Sequence, residues 1–212
     1  MLNWETPSDP DESDGEGNDV DLHMLRPGGI SWNLPGLVDD CYFEQPSPEW
    51  GELGVTTDNP YYHVDDQDSA GPEVITIEQP ALTTTEVGYL IGVHHFVPMD
   101  SAPVFPTVTV YSNGEVIGLV GEKGIALQGR EFWIAAELFW TETGPILFTS
   151  EVPADHPWIS ESVGTVDDLQ PGRSTFRREL PAPCALRGIV FCSSASSKLR
   201  IGRRSERLTG MR

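Results

Sequence analysis

The sequence predicts an all-β fold, an antiparallel two-sheet β-sandwich of jelly-roll or Ig-like type with long loops and a disordered C-terminal tail. Three observations carry this reading. Short segments alternate apolar and polar residues with the period of two that suits half-buried strands. Two of these segments are joined by Asn113-Gly114, the dipeptide that best tolerates the positive φ of a tight hairpin turn. The 21 Gly and 18 Pro among 212 residues break the remainder into loops, so a helix-rich fold lacks the helices it would need.

The elements follow in chain order. Strands are predicted at Leu2–Glu5, Asp19–Leu25, Val74–Glu78, Gly88–Val97, Thr107–Ser112, Glu115–Val120 and Glu131–Trp140, with a short one near Ile146–Thr149. In the second strand Val20, Leu22 and Met24 face a core, which leaves Asp19, Asp21 and His23 on the opposite face. In the segment Glu131–Trp140, Ala135, Ala136 and Glu137 favour a helix, but the alternation of Phe132, Ile134, Ala136, Leu138 and Trp140 favours a strand. The expected core is Val20, Leu22, Met24, Val93, Val108, Val110, Phe132, Ile134 and Leu138. The stretch from Arg26 to Tyr62 is rich in Pro, Gly and aromatics and is expected to cover one end of the sandwich. Its Trp32, Tyr42, Trp50, Tyr61 and Tyr62 are a candidate ligand-binding platform for a carbohydrate.

Charge divides the chain. Residues 1–172 hold 31 of the 33 acidic residues and only Arg26, Lys123 and Arg130 as bases, whereas residues 173–212 hold ten bases and two acids. The expected organisation is an acidic sandwich domain at 1–150, then a linker and a basic, disordered tail at 151–212. An acidic body repels nucleic acid and anionic membrane and attracts cations. The basic stretch Arg187 to Arg212 offers only Phe191 to stack on a base, so no nucleic-acid partner is expected.

Two acidic segments have spacings suited to an oxygen-ligand metal. Asp19 and Asp21 share a strand face, and Asp65, Asp66 and Asp68 fall within four positions, followed by Gly71-Pro72 and Glu73, a turn that can fold its own oxygens around a point. Two carboxylates about 4 Å apart repel by roughly 4 kcal/mol at an effective dielectric near 20, so such groups stay solvated or recruit a cation. The expected metal ligands are Asp19, Asp21, Asp66, Asp68 and Glu73, and the expected ion is calcium. His23 stands behind them, since calcium prefers oxygen. The register is not that of an EF-hand: with Asp66 at the first position, Ala70 and Ile77 fall where ligands are required.

Catalytic motifs are missing: no Gly-x-Ser-x-Gly, His-Glu-x-x-His, phosphate loop or dinucleotide fingerprint occurs. His94 and His95 are neighbours on one strand and point to opposite faces, one expected buried and the other solvated. The three cysteines, Cys41, Cys184 and Cys192, have no zinc spacing. No apolar run reaches the length of a transmembrane segment. The start Met1-Leu-Asn-Trp-Glu has no secretory pattern, which read literally gives an unexported, cytoplasmic protein.

A resemblance gathers these features. Leu2-Asn-Trp4, Asp19-Val-Asp-Leu-His23, Asp40-Cys-Tyr with Pro-Glu-Trp-Gly51, Val64-Asp-Asp-Gln-Asp with Ala-Gly-Pro-Glu73, Gly88-Tyr-Leu-Ile-Gly-Val-His-His95, Thr107-Val-Thr-Val-Tyr111 and Phe132-Trp-Ile-Ala-Ala-Glu-Leu-Phe-Trp140 occur in one order. In that order they resemble a β-sandwich domain of lipoproteins and secreted proteins of myxobacteria and their relatives, distantly similar to the YfaP-like family. It covers about residues 2–148 and implies an extracellular or cell-envelope module. This chain departs from it with Ser69 in place of a glycine and without an export signal. The combined expectation is a non-enzymatic, calcium-stabilised module, structural or binding, with a cell-surface glycan or protein as partner. The alternatives are a carbohydrate-binding or adhesive module and a metal-dependent hydrolase, separable by glycan pulldown and by hydrolase assays with and without EDTA.

Overall fold

The computed structural model describes residues 1–149 apart from 10, 12–13, 33–36, 68–69, 85 and 122–123, together with 159–160. All of them belong to one compact unit, Met1–Pro171. Among the described residues there is no helix, and every strand pairing is antiparallel. None of these residues forms a helix long and apolar enough to cross a membrane. The chain order is β1 (Leu2–Glu5), β2 (Asp19–Leu25), β3 (Asp40–Cys41), β4 (Pro60–Tyr62), β5 (Ile75–Ile77), β6 (Tyr89–Val97), β7 (Phe105–Ser112), β8 (Glu115–Val120), β9 (Phe132–Thr141), β10 (Gly144–Thr149) and β11 (Ile159–Ser160).

The larger sheet runs β10-β9-β6-β2-β3, with β11 also on β9; the smaller runs β1-β7-β8, and β4-β5 is a separate ribbon. The β7–β8 turn closes on Ser112 and Glu115, with Asn113 at φ 51° and Gly114 at φ 83°, the hairpin that the dipeptide predicts. The alternative helix at 131–140 is absent, because β9 pairs with β6 on one side and with β10 on the other. The sandwich also extends past residue 150, since Ile159 and Ser160 pair with Trp133 and Phe132. The expectation of a disordered tail lies otherwise outside the described residues.

Two cores result. Leu2, Trp4, Val108, Val110 and Val120 of the smaller sheet pack with Val20, Leu22, Tyr89, Ile91, Val93 and Leu138 of the larger, and Met24 joins them half-buried. On the other face of the larger sheet Leu25, Trp32, Leu90, Phe132 and Ile134 form a second cluster. Phe132 and Ile134 therefore belong to a different core from the one that alternation with Leu138 predicts. A bulge at Ala135 of β9, between the pairs Ile91–Ala136 and Gly92–Ile134, breaks the pairing register there. The larger sheet is covered on both faces, and β6 from Tyr89 to His95 and β9 from Phe132 to Phe139 are buried throughout. That arrangement decides the fate of the polar face of β2.

Candidate metal centre

The polar face of β2 lies under the excursion that follows it. Arg26 Nε donates to Asp39 Oδ1 at 2.7 Å, and the Ile30 amide donates to Asp39 Oδ2, so this loop folds back onto the strand it left. β3 then pairs with β2, placing Cys41 beside Met24 and Asp40 beside Leu25. Trp32 and Tyr42 close over the top: the Tyr42 ring stacks on His23 at 5.2 Å, and Trp32 packs on Phe132 at 4.9 Å. Trp32, Tyr42, Trp50 and Tyr62 are all buried, and of the five aromatics expected to form a platform only Tyr61 is substantially exposed, at 52%. Trp32 and Tyr42 form the underside of this lid, whereas Trp50 and Tyr62 pack into the core between the sheets.

Beneath the lid, Asp21 is paired across the sheet with His94, and His23 with Gly92. Residues opposite one another share a face, so Asp21, His23 and His94 converge. One donor atom from each lies within 4.8 Å of the others, and all three side chains are buried. Gly92 makes this possible: a Cβ there would come 2.4 Å from the Phe132 ring. His23 Nδ1 donates to Asp40 Oδ2 at 2.7 Å. Both oxygens of Asp21, His23 Nε2 and His94 Nδ1 are buried without a hydrogen-bond partner. A second group, Asp19, Asp21 and Asp65, meets the same distance criterion with oxygen alone, and Asp21 belongs to both.

The electrostatics follow from burial and from like charge. Burial, then the charges of Glu73, Asp19, Asp65 and Asp40, push the Asp21 carboxyl up to about 9. Burial, with Asp65 and Asp66, pushes Asp19 up to about 6. Burial pushes Glu73 up to about 8, although hydrogen bonds oppose the shift. Burial, then His23 and His95, brings His94 down to about 3, so its ring is neutral at any working pH. Among the described residues the only ion pair to a basic side chain of Lys or Arg is Arg26 with Asp39.

The expected ligands separate in space. Asp19 and Asp21 stand in the acidic group, and Asp65, a member of the acidic turn that was not among the expected ligands, joins them. Glu73 is wholly buried, and its oxygens accept from the Leu22 amide at 2.6 Å and the Asp66 amide at 3.4 Å. Asp66 Oδ2 accepts from the Gly71 amide at 3.0 Å, closing the turn. Asp68 lies outside the described residues. His94 and His95 do point to opposite faces, but neither is solvated: the nitrogens of the buried His95 lie 3.2 Å from the Leu127 carbonyl oxygen and 2.9 Å from Asn18 Oδ1. Sequence reading left His94 out because its place opposite Asp21 depends on the β2–β6 register, which no local pattern reveals.

These buried Asp and His groups could hold a metal ion. No protein family, curated protein or solved structure matches the chain.

Proposed function

We propose that this chain is a non-enzymatic β-sandwich module stabilised by calcium, with a structural or binding role at the cell surface or outside the cell. The observation that carries the metal reading is Asp21: its carboxylate is 1% exposed, neither oxygen has a hydrogen-bond partner, and the charges that act on it are those of other carboxylates. A group left so costs several kcal/mol unless a proton or a cation answers it. Asp19, Asp21 and Asp65 supply oxygen alone, the donor set calcium takes, with Asp66 and Glu73 bordering them and Asp68 expected from the sequence. The placement outside the cell rests on the resemblance to secreted and lipoprotein sandwich domains, and the excess of acid in residues 1–172 agrees with it.

A ligand that binds only the folded state stabilises it by RT ln(1 + [L]/Kd), about 2.7 kcal/mol at a hundredfold excess over Kd. The melting temperature in calcium is therefore expected to exceed that in EDTA by about 5–10 °C at constant ionic strength. Magnesium, which demands tighter octahedral geometry, is expected to do less. Asp19→Asn and Asp65→Asn should each remove most of the calcium-dependent shift. Identical melts in calcium and EDTA would refute the reading.

A further inference from the structure

We propose that Asp21, His23 and His94 form a second metal site, for a divalent transition ion of the zinc and cobalt class, which shares the Asp21 carboxylate with the acidic group beside it. The inference rests on the metal reading above only through Asp21, and it concerns a different ion held by different atoms.

The donor set separates the two sites. Calcium takes oxygen ligands, whereas imidazole nitrogen suits zinc and its neighbours in the first transition row. Here two imidazoles and one carboxylate converge from adjacent strands, each with a buried donor atom that lacks a partner. An unsatisfied buried polar group costs about 1–3 kcal/mol, and three adjacent side chains with this defect need a common cause. A single ion is such a cause, since it answers all of them at once.

The surroundings orient the ligands. His23 donates its Nδ1 proton to Asp40 Oδ2, so the lone pair sits on Nε2, the unpartnered atom. A carboxylate behind a ligating histidine fixes its tautomer and raises its basicity. Asp40 is thus a positioning residue. The ring is held by Tyr42 stacked at 5.2 Å and by Phe132 edge-on at 5.2 Å. His94, kept neutral by burial, is in the protonation state a metal requires. With two oxygens, Asp21 can give one to each ion.

The test is titration of the EDTA-stripped full chain with Co(II) in the presence of calcium, and X-ray absorption of the zinc-loaded wild-type protein. We expect one Co(II) per chain with the strong visible absorption of a low-coordinate site, displaced by zinc, and imidazole scattering around the zinc. His94→Gln should abolish the absorption while leaving the calcium-dependent melting shift in place. Asp65→Asn should do the reverse. Asp40→Asn should weaken Co(II) by about tenfold to hundredfold, the usual effect of removing the group behind a ligand. Zinc surrounded by oxygen alone, or Co(II) bound equally well by His94→Gln, would overturn the proposal, and the absorption measurement decides it even where a variant fails to fold. A chain that binds Co(II) in this way but does not respond to calcium would refute the calcium reading and leave this one standing.

Discussion

At the residue scale, three carboxyls whose burial raises them above the usual carboxylate range make stability depend on pH. A group whose folded value exceeds its unfolded one contributes stability that is full below the unfolded value and lost as pH rises through the folded one. Asp21, raised to about 9, and Glu73, raised to about 8, therefore destabilise the metal-free protein as pH climbs. His94 acts with the opposite sign: lowered from 6.5 to about 3, it removes stability as pH falls below about 6.5. Between about pH 6.5 and 8 the two carboxyls outweigh the Met1 amino group, which burial lowers from 8.0 to about 6 and which acts with the sign of His94. From there to about pH 9 Asp21 continues alone, so urea midpoints in EDTA should fall across that window. Saturating metal should flatten the slope, and an unchanged slope would separate these groups from any ion. Asp19 and Asp21 were legible in the sequence as a strand face, because a period of two needs nothing beyond the strand itself. His94 was not, since it joins through the β2–β6 register, and Asp65 was legible only as part of the acidic turn, because which of its carboxylates reaches Asp19 and Asp21 is set by tertiary approach.

At the scale of elements, the long strands and the β7–β8 turn were legible because each carries its own periodicity or turn chemistry. β3, β4 and β11 are two or three residues long, too short for any period to show. The polar face of β2 was read as the face turned away from the core, yet Asp19, Asp21 and His23 are all buried. The nearly continuous apolar runs of β6 and β9 were the available signal, since a strand buried on both faces loses its alternation. The aromatic residues of the excursion accordingly belong to packing. Trp32→Ala, at a fully buried side chain that touches Phe132 and His23, is expected to cost about 3–5 kcal/mol. Tyr61→Ala, at a half-exposed ring, should stay within about 0.5 kcal/mol of the parent. Chemical denaturation of the two variants checks the contrast, and equal losses would refute it. Gly92→Ala, which drives a methyl into Phe132, should cost about 1–3 kcal/mol and loosen the packing around His23.

At the scale of the whole molecule, Glu73 links the two sheets. Its backbone exchanges hydrogen bonds with Leu2 of β1, at 2.8 and 3.0 Å, and so extends the edge of the smaller sheet. Its side chain crosses to the Leu22 amide of β2 in the larger sheet. The turn before it depends on Gly71, whose φ of 91° and 2.8 Å Cβ approach to the Leu2 carbonyl oxygen leave no space for a side chain. The acidic cluster is thus built on the joint between the sheets, so an ion there would hold the joint as well as the charges. Glu73→Ala tests whether the joint matters more than the repulsion. Removal of the carboxyl strands the Leu22 and Asp66 amides, each at about 1–3 kcal/mol, and relieves Asp21 of a neighbouring charge. With metal bound the repulsion is already neutralised, so the full loss of about 2–6 kcal/mol should emerge, a large part of a typical domain's stability. In EDTA the relief offsets part of it, and the loss should be smaller. Urea titrations of parent and variant in both conditions give the four midpoints required. A variant as stable as the parent with metal bound would show that the sheets hold together without this residue.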